Sequence, residues 1–179
     1  YLGSPYGEVA LGVIDEFSDQ GILKTQPISA IYWYVMNTTD PTMANVNIRK
    51  ALSFAVDRQN IVDNITKGGQ VPALGYVPNV IPGFEEDRGY FEDAAYDSAR
   101  EYLAIGLEEL GLSDPSELTI NISINTSEAH SVIAQDIQEK WARELGINAQ
   151  IDNTEWQVYL DRLETKDYQI GRIGWTGKY

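Results

Sequence analysis

Apolar positions recur along this chain with two different periods. From Asn47 onward Ile48, Ala51, Leu52, Ala55 and Val56 fall three or four residues apart, the spacing of one helix face. Asp57 is the expected N-cap of a second helix, whose inward face is Ile61, Val62 and Ile65 and whose expected stop is Gly68-Gly69. Asp97 is expected to cap a third helix ending at Gly111, with Ala99, Tyr102, Leu103, Leu107 and Leu110 turned inward. Residues 118–125 change period. Leu118, Ile120, Ile122 and Ile124 alternate with Thr119, Asn121, Ser123 and Asn125, which predicts a strand with one wet face. Ser127 then opens a helix with the stripe Ala129, Ile133, Ile137, Trp141 and Leu145, and Gly146 closes it.

Ile147, Ala149 and Ile151 predict another strand. Thr154 is the expected cap of a short helix holding Trp156, Leu160 and Leu163, and residues 168–175 form a last strand. Strand, helix, strand, helix, strand from Leu118 onward reads as parallel crossovers and places the chain in the α/β class. Before this unit, residues 29–37 are rich in Ile, Tyr, Trp and Val and predict a strand, and residues 9–17 allow a short helix. Residues 1–28 are otherwise a linker or edge segment, and the proline-rich stretch 71–92 is a long irregular loop.

Composition narrows the chemistry. The chain has 179 residues, 27 acids, 13 bases and a net charge of −14, which argues against a nucleic-acid partner or an anionic membrane surface, since both need a basic face. Cysteine is absent and His130 is the single histidine, so thiol catalysis and multi-histidine metal sites are excluded. The longest apolar run, residues 30–36, falls far short of the ~20 residues that span a bilayer. No phosphate loop, dinucleotide fingerprint, zinc-protease helix or serine elbow occurs. Acid pairs such as Glu85-Glu86 and Glu92-Asp93 read as solvated surface, with a carboxylate-based hydrolase using Glu85 and Asp93 as the enzymatic alternative. Tyr32-Trp33-Tyr34 puts an amphipathic ring on both faces of its strand, either as core cover or as a stacking surface for a ligand.

Residues 45–69, NVNIRKALSFAVDRQNIVDNITKGG, resemble a signature of the extracellular solute-binding proteins that serve peptide ABC transporters. Residues 71–78, VPALGYVP, resemble that family's next loop, and residues 96–100, YDSAR, with Gly111-Leu112, resemble its next helix. Residues 118–127, LTINISINTS, then residues 141–146, Glu155-Trp156 and Gly174-Trp175 follow in the family order. The resemblance implies a periplasmic-binding-protein-like lobe, a mixed sheet flanked by helices, with residues 1–179 as one partial C-terminal ligand-binding lobe of a longer, two-lobed parent. It implies an extracytoplasmic receptor, periplasmic or held at the cell surface as a lipoprotein. Such a receptor binds oligopeptides between its lobes and hands them to a membrane permease, without catalysis or cofactor. Oligosaccharide binding within the same family is the alternative.

The resemblance also carries over candidate ligand contacts. His130 and Arg172 match positions near a ligand carboxylate. Trp156 and Trp175 match the walls of side-chain pockets, and Tyr32, Trp33 and Tyr34 match an aromatic strand facing the cleft. Lys178 stands where family members hold the ligand's α-ammonium with an aspartate, and Val35 stands where some carry an acid. Lys178 would repel an ammonium and Val35 cannot attract one, so these replacements favour longer peptides bound mid-chain, or a different solute, over a free N-terminus held by charge.

Overall fold

A computed structural model describes residues 9–78, 80–84 and 92–177. A single turn of 3-10 helix, Leu11–Val13, leads into α1 (Ile14–Asp19), which is followed by β1 (Ala30–Met36). Helices α2 (Pro41–Ala44), α3 (Val46–Phe54) and α4 (Arg58–Asn60) come next, and α4 runs on into a π-helical turn, Ile61–Thr66. The second half alternates: α5 (Tyr96–Leu110), β2 (Ile120–Asn125), α6 (Glu128–Leu145), β3 (Ala149–Thr154), α7 (Trp156–Thr165) and β4 (Ile170–Thr176). The strands form one sheet in the order β1-β4-β2-β3, with β2 parallel to both β3 and β4 and β1 antiparallel to β4. The expected α/β class and mixed sheet are therefore present.

Local chemistry explains most boundaries. Asp40 and Asn45 cap α2 and α3 by accepting from free backbone N–H groups, Asn45 from Asn47 and Ile48 at 2.9 and 3.0 Å. Asp57 caps α4 as expected, accepting from the Asn60 N–H at 2.9 Å. The stop differs from the expected Gly68-Gly69. The π turn carries the Lys67 N–H back to Val62 O at 3.0 Å, and Lys67 itself takes the left-handed conformation. The expected caps of two other helices also move. α5 begins at Tyr96 with Ala95 as N-cap, and the Asp97 carboxylate in its first turn holds Arg100 instead. Thr154 stays in β3, and Glu155 caps α7 by accepting from the Gln157 N–H at 2.8 Å.

One face of the sheet carries the main core. Ile48 and Leu52 of α3, Leu103 of α5, and Ile137 and Trp141 of α6 meet Ile120, Ile122, Ile124 and Ile170 of the strands, all buried. Gly106 lets α3 and α5 touch: a Cβ there would lie 2.6 Å from the Ile48 Cδ1 and 3.1 Å from its backbone nitrogen. The opposite face is covered by α7, whose buried Tyr159 reaches the central strands. This is why the wet face expected of β2 is not wet. Ser123 points to that side and is only 2% exposed.

Candidate functional site

Two successive crossovers run in opposite directions about β2. The chain runs from β2 through α6 to β3 on one side, then from β3 through α7 back across β2 to β4 on the other. In open sheets with parallel strands, such a reversal leaves a crevice at the carboxyl ends of the diverging strands. The divergence is visible in the register. β4 pairs with β2 only at Ile122↔Ile170 and Ser123↔Gly171, while it pairs with β1 along its whole length. Tyr159 sits at the fork, its hydroxyl donating to Ser123 O at 3.2 Å and lying 2.6 Å from Arg172 O. Burial pushes that phenol up to about 12, so it remains a donor.

Beyond the fork, β4 has an open edge. Gly177 N–H donates to Ser29 O and Asn37 N–H donates to Gln169 O, so odd-numbered β4 residues turn their backbone groups toward β1. The groups of Arg172, Gly174 and Thr176 therefore point the other way, into the space β2 has left. Arg172 O meets Tyr159 there, and no backbone partner reaches Gly174 or Thr176 among the described residues.

Residue parity also sorts the candidate side chains. Tyr32, Tyr34 and Arg172 lie on the α6 face, where His130 in the first turn of α6 joins them. The Tyr32 hydroxyl is 3.3 Å from His130 Nδ1, and the Tyr32 ring lies 5.6 Å from the imidazole and 6.2 Å from the Tyr34 ring. Arg172 Nη2 is in hydrogen-bond contact with His130 Nε2, and the guanidinium carbon lies 5.4 Å over the Tyr32 ring. An arginine can only donate, so His130 Nε2 accepts and the neutral ring carries its proton on Nδ1, toward Tyr32.

Trp33 and Trp175 project from the other face of the sheet, and Trp156 begins the helix that covers that face. Trp33 meets Tyr76 edge-on at 5.2 Å, and Trp156 stacks on Tyr159 at 6.3 Å. Trp175 is 70% exposed and Trp156 is 47% exposed, so neither is a core tryptophan. The eight expected contacts thus form two groups on either side of the open β4 edge, except Lys178, which lies outside the described residues.

The site is electrostatically incomplete. Arg172 has no carboxylate partner among the described residues, and its Nε is buried without a hydrogen bond. Tyr34 Oη, Asn125 Oδ1, Ser127 Oγ and Thr154 Oγ1 are also buried and unbonded among the described residues, the last three at the carboxyl ends of β2 and β3 and the start of α6. Burying a cation without an anion is costly, and so is each orphaned polar atom. Ser127 holds the expected cap position, yet its side chain makes no capping bond.

His130 gives the site a pH signature. Burial first and the Arg172 charge second push it down from 6.5 to about 4. An unfolded chain takes up a proton there that the folded one refuses. The stability contributed by neutral His130 is therefore complete above about pH 6.5 and is lost as pH falls toward about 4. In an NMR titration of the ligand-free protein, the imidazole signal assigned to His130 should therefore stay unprotonated through pH 6. A midpoint near 6.5 would place the ring in solvent and away from Arg172.

Sequence reasoning missed Tyr159 and the trio Asn125, Ser127 and Thr154. Tyr159 falls three residues after Trp156 and four before Leu163, a helical spacing that marks it as inward. Asn125 and Ser127 lie in the motif 118–127, and Ser127 and Thr154 are expected caps, but none is marked there as a ligand contact, because their atoms come together only through the sheet. Asp93, considered above for hydrolysis, is fully engaged: it pairs with Arg58 at 3.1 Å and accepts from the Arg58 and Gln59 N–H groups at 2.9 and 3.0 Å. Glu85 lies outside the described residues. A polar cavity of about 480 Å³ opens at the opposite end of the sheet, lined by Asn37, Asp40, Asn121, Asp152, Arg162 and Gln169, whose side chains largely bond one another and nearby backbone.

Residues 6–179 match the family model described as bacterial extracellular solute-binding proteins, family 5 Middle. The chain belongs to this family. Family 5 relatives of this chain include the oligopeptide-binding protein OppA of Bacillus subtilis (strain 168), 46% identical over 181 residues, covering 100% of this chain and 33% of that protein. The periplasmic oligopeptide-binding protein OppA of Escherichia coli (strain K12) is 31% identical over 157 residues, covering 86% of this chain and 28% of that protein. Among solved structures, Haemophilus influenzae OppA in complex with RPPGFSPFR superposes with a TM-score of 0.83 at 26% identity, over 97% of this chain and 35% of that one. The Escherichia coli murein tripeptide binding protein MppA gives 0.84 at 26% identity, over 94% of this chain and 34% of that one. The family 5 chain thus spans about a third of the length of the relatives it matches.

Proposed function

We propose that residues 1–179 form part of one lobe of a longer extracytoplasmic receptor that binds oligopeptides and presents them to an ABC permease. The carrying observation is Arg172, a partly buried cation without a carboxylate beside an unpaired strand edge. An extended peptide answers both needs. Its main chain adds as a strand along Gly174 and Thr176, where β2 has turned away, and a carboxylate of the ligand satisfies Arg172. Side chains of an added strand alternate between its two faces. One set then meets Tyr32 and Tyr34, the other Trp175 and Trp156, which explains why the aromatic candidates lie on opposite faces.

Membership of a solute-binding family and the engagement of Asp93 both support binding without catalysis. Among the described residues no helix is long and apolar enough to cross a membrane. Delivery to a permease would rest on lobe closure over the ligand. The test is native mass spectrometry of the intact parent, purified gently without added ligand. Co-purified masses that fragment as mixed short peptides are the expected result. A single sugar mass would keep the family and replace the substrate with the oligosaccharide alternative.

A further inference from the structure

Where two strands part, the backbone groups that lose their partners must find others. Continued past its last pair, Ser123↔Gly171, the parallel register of β2 and β4 would bring the Asn125 N–H to Arg172 O. β2 has turned away by then, and a side chain supplies the donor instead. The Tyr159 hydroxyl stands 2.6 Å from Arg172 O and 3.2 Å from Ser123 O, so its one proton is shared by a carbonyl of each strand.

The fit at this fork is tight. Tyr159 is 0% exposed, and its ring stacks on Trp156. A Cβ on Gly171 would lie 3.2 Å from Tyr159 Oη and 3.0 Å from Leu163 Cδ2, closer than side chains ordinarily pack, so glycine makes room for the hydroxyl. A phenylalanine in place of Tyr159 would fill the same apolar space and leave Arg172 O without its donor. The hydroxyl thus marks where the open edge of β4 begins. On one side of it Arg172 O is already taken. On the other, the backbone groups of Gly174 and Thr176 have no backbone partner among the described residues.

We propose that Tyr159 is a specificity-determining residue for peptide binding: its hydroxyl closes the β4 edge at Arg172 O, so a ligand's main chain pairs with Gly174 and Thr176 and no further along β4. This role rests on the strand addition proposed above and adds where the ligand's ladder stops. Arg172 is divided between two tasks. Its carbonyl belongs to Tyr159, while its side chain turns to the α6 face beside the Tyr32 ring. A ligand carboxylate is therefore met where backbone pairing ends, and a longer peptide must leave the sheet at that point.

Single amide-to-ester replacements along hexaalanine, each removing one N–H donor, test this by calorimetric titration of the intact, ligand-stripped parent. In the unaltered protein two positions, two residues apart, are expected to lose about 2- to 10-fold in affinity, because their N–H groups donate to Gly174 O and Thr176 O. The next position of that alternating set, toward Arg172, should bind within about twofold of hexaalanine. Tyr159→Phe frees Arg172 O, and Tyr159→Leu also shortens the side chain. In these variants the third position should become sensitive by about 2- to 10-fold. A third sensitive position already present in the unaltered protein would overturn the role of Tyr159, and so would the same sensitive positions in all three proteins. Either result would leave strand addition standing. The absence of any sensitive pair two residues apart in the unaltered protein would overturn strand addition, and this role with it.

Discussion

Arg172→Ala in the intact parent is expected to weaken peptide binding about 10- to 100-fold, since hydrogen bonds to a charged partner contribute roughly 1.5–3 kcal/mol. The guanidinium lies between His130 and the Tyr32 ring, with no acid of this chain to neutralise it among the described residues. Removing it also removes a buried, unbonded Nε, so the fold should lose little. Arg172→Lys separates charge from geometry. A lysine keeps the positive charge but loses the planar fork that grips a carboxylate at two points, so it should restore part of the affinity. Calorimetric titration of the ligand-stripped parent with a peptide found in it reads both variants. Unchanged affinity in the alanine variant would remove Arg172 from the site and leave the open edge of β4 to carry binding alone.

Trp141→Ala should be the most damaging single change, costing about 3–5 kcal/mol of stability. The ring is 1% exposed and sits where α6 packs against α3 under the sheet. Its indole N–H also donates to Leu52 O at 3.0 Å, satisfying a buried carbonyl near the end of α3. Trp141→Phe distinguishes the two contributions. It keeps much of the apolar volume but leaves that carbonyl unpaired, for an expected cost of about 1–3 kcal/mol. Urea denaturation of the parent measures both. Equal losses in the two variants would mean that the hydrogen bond, rather than the packing, holds α3 to α6.

The residues that most clearly mark the family build the scaffold and not the crevice. Within the 45–69 signature, Asn45 and Asp57 cap helices, Arg49 donates to Met43 O and Ala44 O, and Ala51 and Leu52 are buried. Arg58 fastens Asp93 to the start of α4. Such positions report which fold a chain adopts. They say little about what the fold holds, which is why the family could be read with more precision than the ligand.

The amino-acid sequence by itself determined the elements whose pattern is local. The alternation in residues 118–125, the stripe from Ile133 to Leu145 and the glycines at 111 and 146 all lie within one strand or helix; the stripe separates solvent from core, and the alternation separates the main core from the more polar side under α7. Caps were legible where one carboxylate meets the next turn, as at Asp57, and misplaced by one or two residues where neighbouring candidates compete, as at Asp97 and Thr154. His130, Arg172 and the tyrosines were legible as residues, but not as a cluster. Tertiary structure alone decided that β4 would leave β2 after Gly171, that Tyr159 would stand in the fork, and that the aromatic candidates would divide between two faces. Those facts arise from strands brought together across long stretches of chain. Pairing order and crossover direction, which no local period encodes, determine where a strand edge stays open and which charge is left without a partner.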